Sequence, residues 1–153
     1  KILALPYDRV YKKLYHSKAL QGVKGIFWYQ GESDGNFTKD TALNYANQFD
    51  KLRSSWKMDY PNLKKIIVLQ INVGCSGNFL NIIRETQRTL PEHYLDVEVM
   101  STTGSNQGDR SNDNCHYTEK GYEKIADNLV PLAKKLFYQI ESPDELILPA
   151  NNI

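Results

Sequence analysis

Lys65-Ile66-Ile67-Val68-Leu69-Gln70-Ile71-Asn72-Val73 decides how the chain is read. A short run of β-branched and aliphatic residues between two segments with a three-to-four apolar spacing reads as a buried strand between helices. Upstream, Ala42 to Trp56 places Tyr45, Phe49, Leu52 and Trp56 on one helical stripe. Downstream, Phe79, Ile82, Ile83, Thr86 and Leu90 form another. Further out the alternation repeats. Val23 to Tyr29 is a β-branched and aromatic run preceded by a helical stripe in Tyr7 to Leu20, carrying Val10, Tyr11, Leu14 and Tyr15. Leu95 to Met100 is a third strand, and Tyr122, Ile125, Ala126, Leu129, Leu132, Leu136 and Phe137 mark a long last helix with Pro131 placed to kink it.

Strands separated by helices of this length read as βαβ units, and hence as an α/β domain with a parallel sheet covered on both faces. Three strands are few for such a sheet, and domains of this kind usually start on a strand where this chain starts on a helix. The expectation is that an N-terminal part of the domain, carrying its first strands, lies outside the sequence. Residues 1–141 then form the C-terminal part of one domain. The tail from Ser142 to Ile153, with two prolines and no period, reads as a linker.

Composition narrows the function classes. The 153 residues are 41% hydrophobic and 24% charged, which excludes disorder, collagen and coiled coil. A chain this long buries roughly 68 to 70% of its unfolded surface, so its core needs no metal or disulfide. Nineteen Lys and Arg against 18 Asp and Glu leave a formal charge of +1, far from that of a nucleic-acid binder. No apolar run approaches the roughly 18 residues of a membrane span, so neither nucleic acid nor membrane is expected as a partner. Ten tyrosines would suit sugar stacking, but also ordinary packing with the hydroxyl wet.

In an open parallel sheet, ligands bind beyond the carboxyl ends of the strands, so the loops after the three strands are where chemistry is sought. The first contains Gln30-Gly31-Glu32-Ser33-Asp34-Gly35, the second Gly74-Cys75-Ser76-Gly77. The third runs from Ser101 to His116, long for a connection, and ends Asp113-Asn114-Cys115-His116-Tyr117. An Asp three residues before a His can accept one imidazole N–H and leave the other nitrogen as a general base; the same spacing also serves as a helix-capping turn with a solvated His. Glu32 could orient His116 or bond backbone amides. Gln30 and the Gly31 N–H could donate to an oxyanion, or simply close a strand end. Ser33 sits in letters that match G-x-S-x-G, but the segment around it reads as a polar loop instead of the strand-turn-helix of a nucleophile elbow. His16 and His93 read as surface residues. Cys75 and Cys115 lack metal or redox spacing, and a bridge between them is conceivable in an oxidising compartment.

Gly25-Ile26-Phe27-Trp28-Tyr29-Gln30-Gly31-Glu32-Ser33-Asp34, Arg84-Glu85-Thr86-Gln87 and Asp113-Asn114-Cys115-His116-Tyr117, in this order, resemble the sialate O-acetylesterase and acetylxylan esterase branch of the SGNH hydrolases. The likeness runs from about Pro6 to Tyr138. It implies a flavodoxin-like three-layer α/β/α fold, no metal or organic cofactor, and removal of O-acetyl groups from sugars or glycans by a serine nucleophile. His116 would be the base and Asp113 its orienting acid, with Glu32 a helper to the histidine and Gln30 and Gly31 the oxyanion side. The nucleophile of that family belongs to a Gly-Gln-Ser-Asn segment after the domain's first strand, and this sequence has none. The expectation is therefore an enzyme part that is inactive alone, from a secreted or periplasmic protein. The competing expectations are a non-catalytic carbohydrate-binding module on the same scaffold, or an SGNH esterase of lipid or aryl esters.

Overall fold

A computed structural model describes residues 5–72, 74–103, 111 and 113–140. The linker assigned to Ser142–Ile153, and most of the loop after the third strand, lie outside the described residues. Three strands, β1 (Gly25–Trp28), β2 (Lys65–Gln70) and β3 (Val97–Ser101), form one sheet in the order β1-β2-β3. Both pairings are parallel, Ile66 standing opposite Ile26 on one side and Val97 on the other. The expected strands are all present, the first two shortened at their ends and the third starting two residues later and running one residue further than expected.

The central strand explains its own sequence. With neighbours on both edges and helices on both faces, β2 can place only apolar residues well, and Ile66, Ile67 and Val68 are fully buried. Full burial of each such side chain is worth about 1.5 to 3 kcal/mol. Successive residues take opposite faces. Ile66 and Val68, with Val97 and Val99, join a cluster containing Tyr7, Tyr11 and Leu14 of α1 (Leu5–His16), Phe49 and Trp56 of α4 (Tyr45–Asp59), and Ile83 and Leu90 of α5 (Leu80–His93). Ile67, Leu69 and Met100 pack on the other face against Ile125, Leu129, Leu132 and Phe137 of α6 (Glu119–Tyr138). The result is a three-layer α/β/α arrangement.

Two helices between β1 and α4 depart from expectation. The segment after β1, expected as a polar loop, is a five-residue helix, α2 (Glu32–Asn36), and the helix expected from Ala42 is divided into α3 (Lys39–Leu43) and α4. The Thr38 hydroxyl caps α3 by accepting from the Thr41 N–H at 3.1 Å. Helix α2 has no side-chain cap; the Phe79 N–H, just before α5, donates to the Gly35 carbonyl at 3.0 Å, and Gly35 is buried against Leu80. Packing against α5 therefore holds a helix that its composition would not. Pro131 lies inside α6, which continues unbroken through it, and Thr118 caps that helix by accepting from the Gly121 N–H at 3.2 Å.

Candidate active site

The carboxyl ends of the strands bring the three loops to one open cleft of about 570 Å³. Its wall includes Tyr29 and Glu32 from the first loop, Cys75 and Ser76 from the second, and Asp113, Cys115 and His116 from the third. Ser33 and Tyr122 also line it.

The Asp113 turn is built around its carboxylate. Asp113 Oδ1 accepts from the backbone N–H of Cys115 at 2.9 Å and of His116 at 3.0 Å, and from the Ser111 hydroxyl at 2.5 Å. Asn114 takes the left-handed conformation that closes such a turn, at φ 56°. The other oxygen, Oδ2, lies 2.5 Å from His116 Nδ1. Ser111 and then His116, with the two backbone amides, hold the Asp113 carboxyl well below the usual carboxylate range. An ionised carboxylate is acceptor-only, so Nδ1 carries the proton, and in the neutral ring Nε2 is a lone-pair acceptor. The hydrogen bond to Asp113, and then its charge, raises the His116 imidazole above its ordinary pKa; Glu32 adds to the rise through its charge. Both groups stay open to water, His116 at 73% side-chain exposure and Asp113 at 50%, so the imidazole can meet an incoming group without rearrangement.

Asp113, rather than Glu32, is thus the hydrogen-bond partner of Nδ1, and Glu32 shares the cleft wall with them. Gln30 and Gly31 do not line the cleft. The Gln30 side-chain amide donates to Asp34, and the Gln30 carbonyl accepts from Gln87 Nε2 at 2.9 Å and from the Tyr45 hydroxyl at 3.1 Å. Gly31 has φ +147°, a conformation that disfavours any side chain, and a Cβ there would stand 2.7 Å from Ile83 Cγ2.

The structure corrects the contextual objection to Ser33: strand, turn and helix do succeed one another here. The strained residue of that turn is Gly31, however, and Ser33 lies inside α2, so it does not occupy the turn itself as an elbow nucleophile would. His16 and His93 are exposed at the ends of α1 and α5. Cys75 and Cys115 form a disulfide. Among the described residues, no group of three or more His, Cys, Asp or Glu could hold a metal ion.

Three residues of the quoted motifs have roles that the sequence does not reveal. Gln87 is fully buried; its Oε1 accepts from the Ile71 N–H at 2.8 Å while its Nε2 donates to Gln30, joining the end of β2 to the loop after β1. Arg84, also buried, donates to the Ile71 carbonyl. Tyr117 anchors the histidine turn beneath, its hydroxyl 3.3 Å from Thr102 Oγ1. A signal for the first two exists: Arg84 and Gln87 sit with Ile83 and Leu90 on the face of α5 that the apolar period assigns to the core.

The family described as carbohydrate esterase, sialic acid-specific acetylesterase, matches residues 4–135. A curated relative, the probable carbohydrate esterase At4g34215 of Arabidopsis thaliana, is 33% identical over 82 residues, which are 53% of this chain and 31% of that protein. The solved X-ray structure of the Arabidopsis thaliana protein AT4G34215 superposes with a TM-score of 0.67 at 27% identity, over 82% of this chain and 50% of that one. This chain therefore spans about half the length of the relative it matches in structure, or less. With most of its length matched, the chain belongs to the carbohydrate esterase, sialic acid-specific acetylesterase family.

Proposed function

We propose that these residues supply the histidine base and its orienting carboxylate to a serine-type O-acetylesterase of acetylated sugars, a sialate 9-O-acetylesterase or acetylxylan-esterase-like enzyme, and that the nucleophilic serine lies in a segment outside this sequence. The observation that carries the reading is the His116 Nδ1 to Asp113 Oδ2 contact of 2.5 Å on the wall of a strand-end cleft. In this mechanism Nε2 takes the serine proton as the hydroxyl attacks the acetyl carbonyl, and Asp113 holds the resulting imidazolium without taking its proton. The same nitrogen returns the proton to the departing sugar oxygen; water then repeats the cycle on the acetyl-enzyme, releasing acetate. Glu32 supports the imidazolium by charge. The oxyanion side that the family resemblance implies, Gln30 and Gly31, stands behind the cleft wall here, with the Gln30 amide donating to Asp34. The disulfide suits an oxidising compartment, which supports a secreted or periplasmic setting.

The test compares the 153 residues with a polypeptide extended upstream through a Gly-Gln-Ser-Asn segment, on acetylated sugars and small acetate esters. The short chain should be inactive and the extended one active. In the latter, His116→Ala should lower kcat by several orders of magnitude, as loss of a triad base does. Asp113→Asn should cost up to about 10⁴-fold, as in a serine triad, and less if Glu32 shares the orienting role. His116-dependent hydrolysis by the short chain would overturn the placement of the serine and make Ser33 the nucleophile to test. Binding of acetylated sugar without cleavage would instead establish a carbohydrate-binding module.

A further inference from the structure

The bonds that join His116 to Asp113 all lie within one turn, between Ser111 and His116. Such a turn fixes the imidazole relative to its own carboxylate. It does not by itself fix either group relative to α2, which brings Glu32 and Ser33 to the same cleft; Tyr117 anchors the turn from beneath to Asn72 and Thr102, neither of which belongs to α2. Cys115 is the residue before His116, and it is bonded across 40 residues to Cys75, which is buried in the loop after β2. Both cysteines line the same cleft as His116 and Glu32, and both pack against the large apolar cluster beneath α4 and α5.

We propose that the Cys75–Cys115 disulfide is a positioning element for His116: oxidised, it seats the Asp113 turn against the α2 side of the cleft, and opened by a dithiol reductant, it lets that turn move away. The structural claim stands on the tether itself; only its consequence for catalysis rests on His116 being the esterase base. The opening step is ordinary thiol exchange. A thiolate of the dithiol attacks Cys115 Sγ, the bond between the two cysteine sulfurs breaks, and Cys75 leaves as a thiolate that takes a proton. The second thiol of the reductant then displaces Cys115 from the mixed disulfide. Two electrons pass from the dithiol, which becomes a disulfide, to the protein, which gains two thiols. Cys115 is only half-buried and faces the open cleft, so a small dithiol can reach it.

Among the described residues, the titratable groups around the imidazole are Asp113 on its own turn, Glu32 from α2, and the phenols of Tyr29, Tyr117 and Tyr122. Asp113 is a local partner, whereas Glu32 reaches the same cleft from a separate element, α2, so its effect on His116 depends on how the turn is seated. The experiment tracks the His116 ring signals of the 153-residue chain by NMR as pH is varied, in Glu32→Gln and Asp113→Asn backgrounds, oxidised and after dithiothreitol reduction, with Cys75→Ser as an independent way to open the tether. Core aromatic signals in the same spectra report the fold. Oxidised, Glu32→Gln should lower the His116 midpoint; reduced, or in Cys75→Ser, that shift should vanish while the Asp113→Asn shift persists. A Glu32→Gln shift of the same size in both redox states would overturn the proposal. In the extended protein, reduction should lower kcat and leave KM in place. If the extended protein proves inactive while the Glu32 shift still depends on the disulfide, the esterase reading fails and the positioning element stands.

Discussion

Replacing Gln87 by leucine tests the account of how the first loop is held. The two side chains are close in volume, so the substitution changes polarity more than packing. Gln87 makes two bonds that matter to the strand ends: Oε1 accepts from the Ile71 N–H at 2.8 Å, and Nε2 donates to the Gln30 carbonyl at 2.9 Å. The Ile71 N–H lies in a fully buried residue, and an orphaned buried donor costs about 1 to 3 kcal/mol. The Gln30 carbonyl keeps a second donor, the Tyr45 hydroxyl at 3.1 Å, so its loss is that of one ordinary hydrogen bond, about 0.5 to 1.5 kcal/mol. Gln87→Leu should therefore cost about 2 to 4 kcal/mol, which for a domain of this size lowers Tm by roughly 5 to 15 °C. Urea unfolding monitored by circular dichroism measures it. Tyr45→Phe should be mild alone, because Gln87 still serves the carbonyl; since the Tyr45 hydroxyl also accepts from Gln87 Nε2 at 3.1 Å, the two residues are directly coupled and the double variant should depart from the sum of the two by about 0.5 to 3 kcal/mol. A loss below about 0.5 kcal/mol for Gln87→Leu, or strict additivity with Tyr45→Phe, would show that the loop is held by something else.

Gly31→Ala should destabilise by about 2 to 5 kcal/mol in thermal unfolding, from a φ of +147° that alanine resists and a methyl 2.7 Å from Ile83 Cγ2; Gly22→Ala, with nothing within 4 Å, should have little effect. His116, raised by its bond to Asp113, should titrate by NMR above the ordinary imidazole value of about 6.5, and Asp113→Asn should lower the midpoint. Because the base acts as the neutral ring, activity of the extended enzyme should fall as pH drops through that raised midpoint, and the acid limb of kcat/KM should move to lower pH in Asp113→Asn. The sign for stability is opposite: a raised histidine pKa favours the folded chain below the unfolded value, and the advantage fades as pH rises through the folded one. Reducing the disulfide, which closes a 40-residue separation, should lower unfolding stability by about 4 kcal/mol on the chain-entropy account; equal urea midpoints with and without dithiothreitol would contradict it.

The fold is legible where burial on two faces leaves an unbroken apolar signal. The run at Ile66 to Leu69 can hardly be anything but a central strand, and the helical stripes on either side fix the alternation from which the parallel pairing derives. Strand ends are less legible because an apolar letter does not reveal its surroundings. The apolar run takes Leu95 into the third strand, yet that residue is 95% exposed and β3 begins at Val97. The residue between them explains the shift. The Asp96 carboxylate is held by Arg53 and by Lys57 at 3.1 Å, while its carbonyl accepts from the Ile66 N–H at 2.8 Å. Helix α2 is hidden for a different reason. Gly35 and Asp34 are poor helix formers, so its formation depends on Phe79 and Leu80, residues more than 40 positions further on.

The site divides along the same line between local and distant causes. Asp113 and His116 can be found because their bond is contained in a turn of six residues, where spacing alone determines reach. Arg84-Glu85-Thr86-Gln87 is visible as a family mark, but its role is hidden, because what Gln87 does depends on the backbone of Ile71 and Gln30, which the fold brings from two other segments. A polar residue on the core face of an amphipathic helix is nevertheless a statement that some buried backbone group nearby needs a partner. On α5 there are two such residues, and the carbonyl and amide of Ile71 are shared between them: Arg84 donates to the first and Gln87 accepts from the second. Ile71 sits immediately past the last paired residue of β2, where the sheet no longer supplies hydrogen bonds. Helix α5 thus takes over from the missing ladder at the point where the chain leaves the strand for the loop that carries Cys75, and through Gln87 it holds the first loop as well. The two polar residues on the buried face of that one helix are what let two loops leave adjacent strands without a sheet beneath them and still form the wall facing His116.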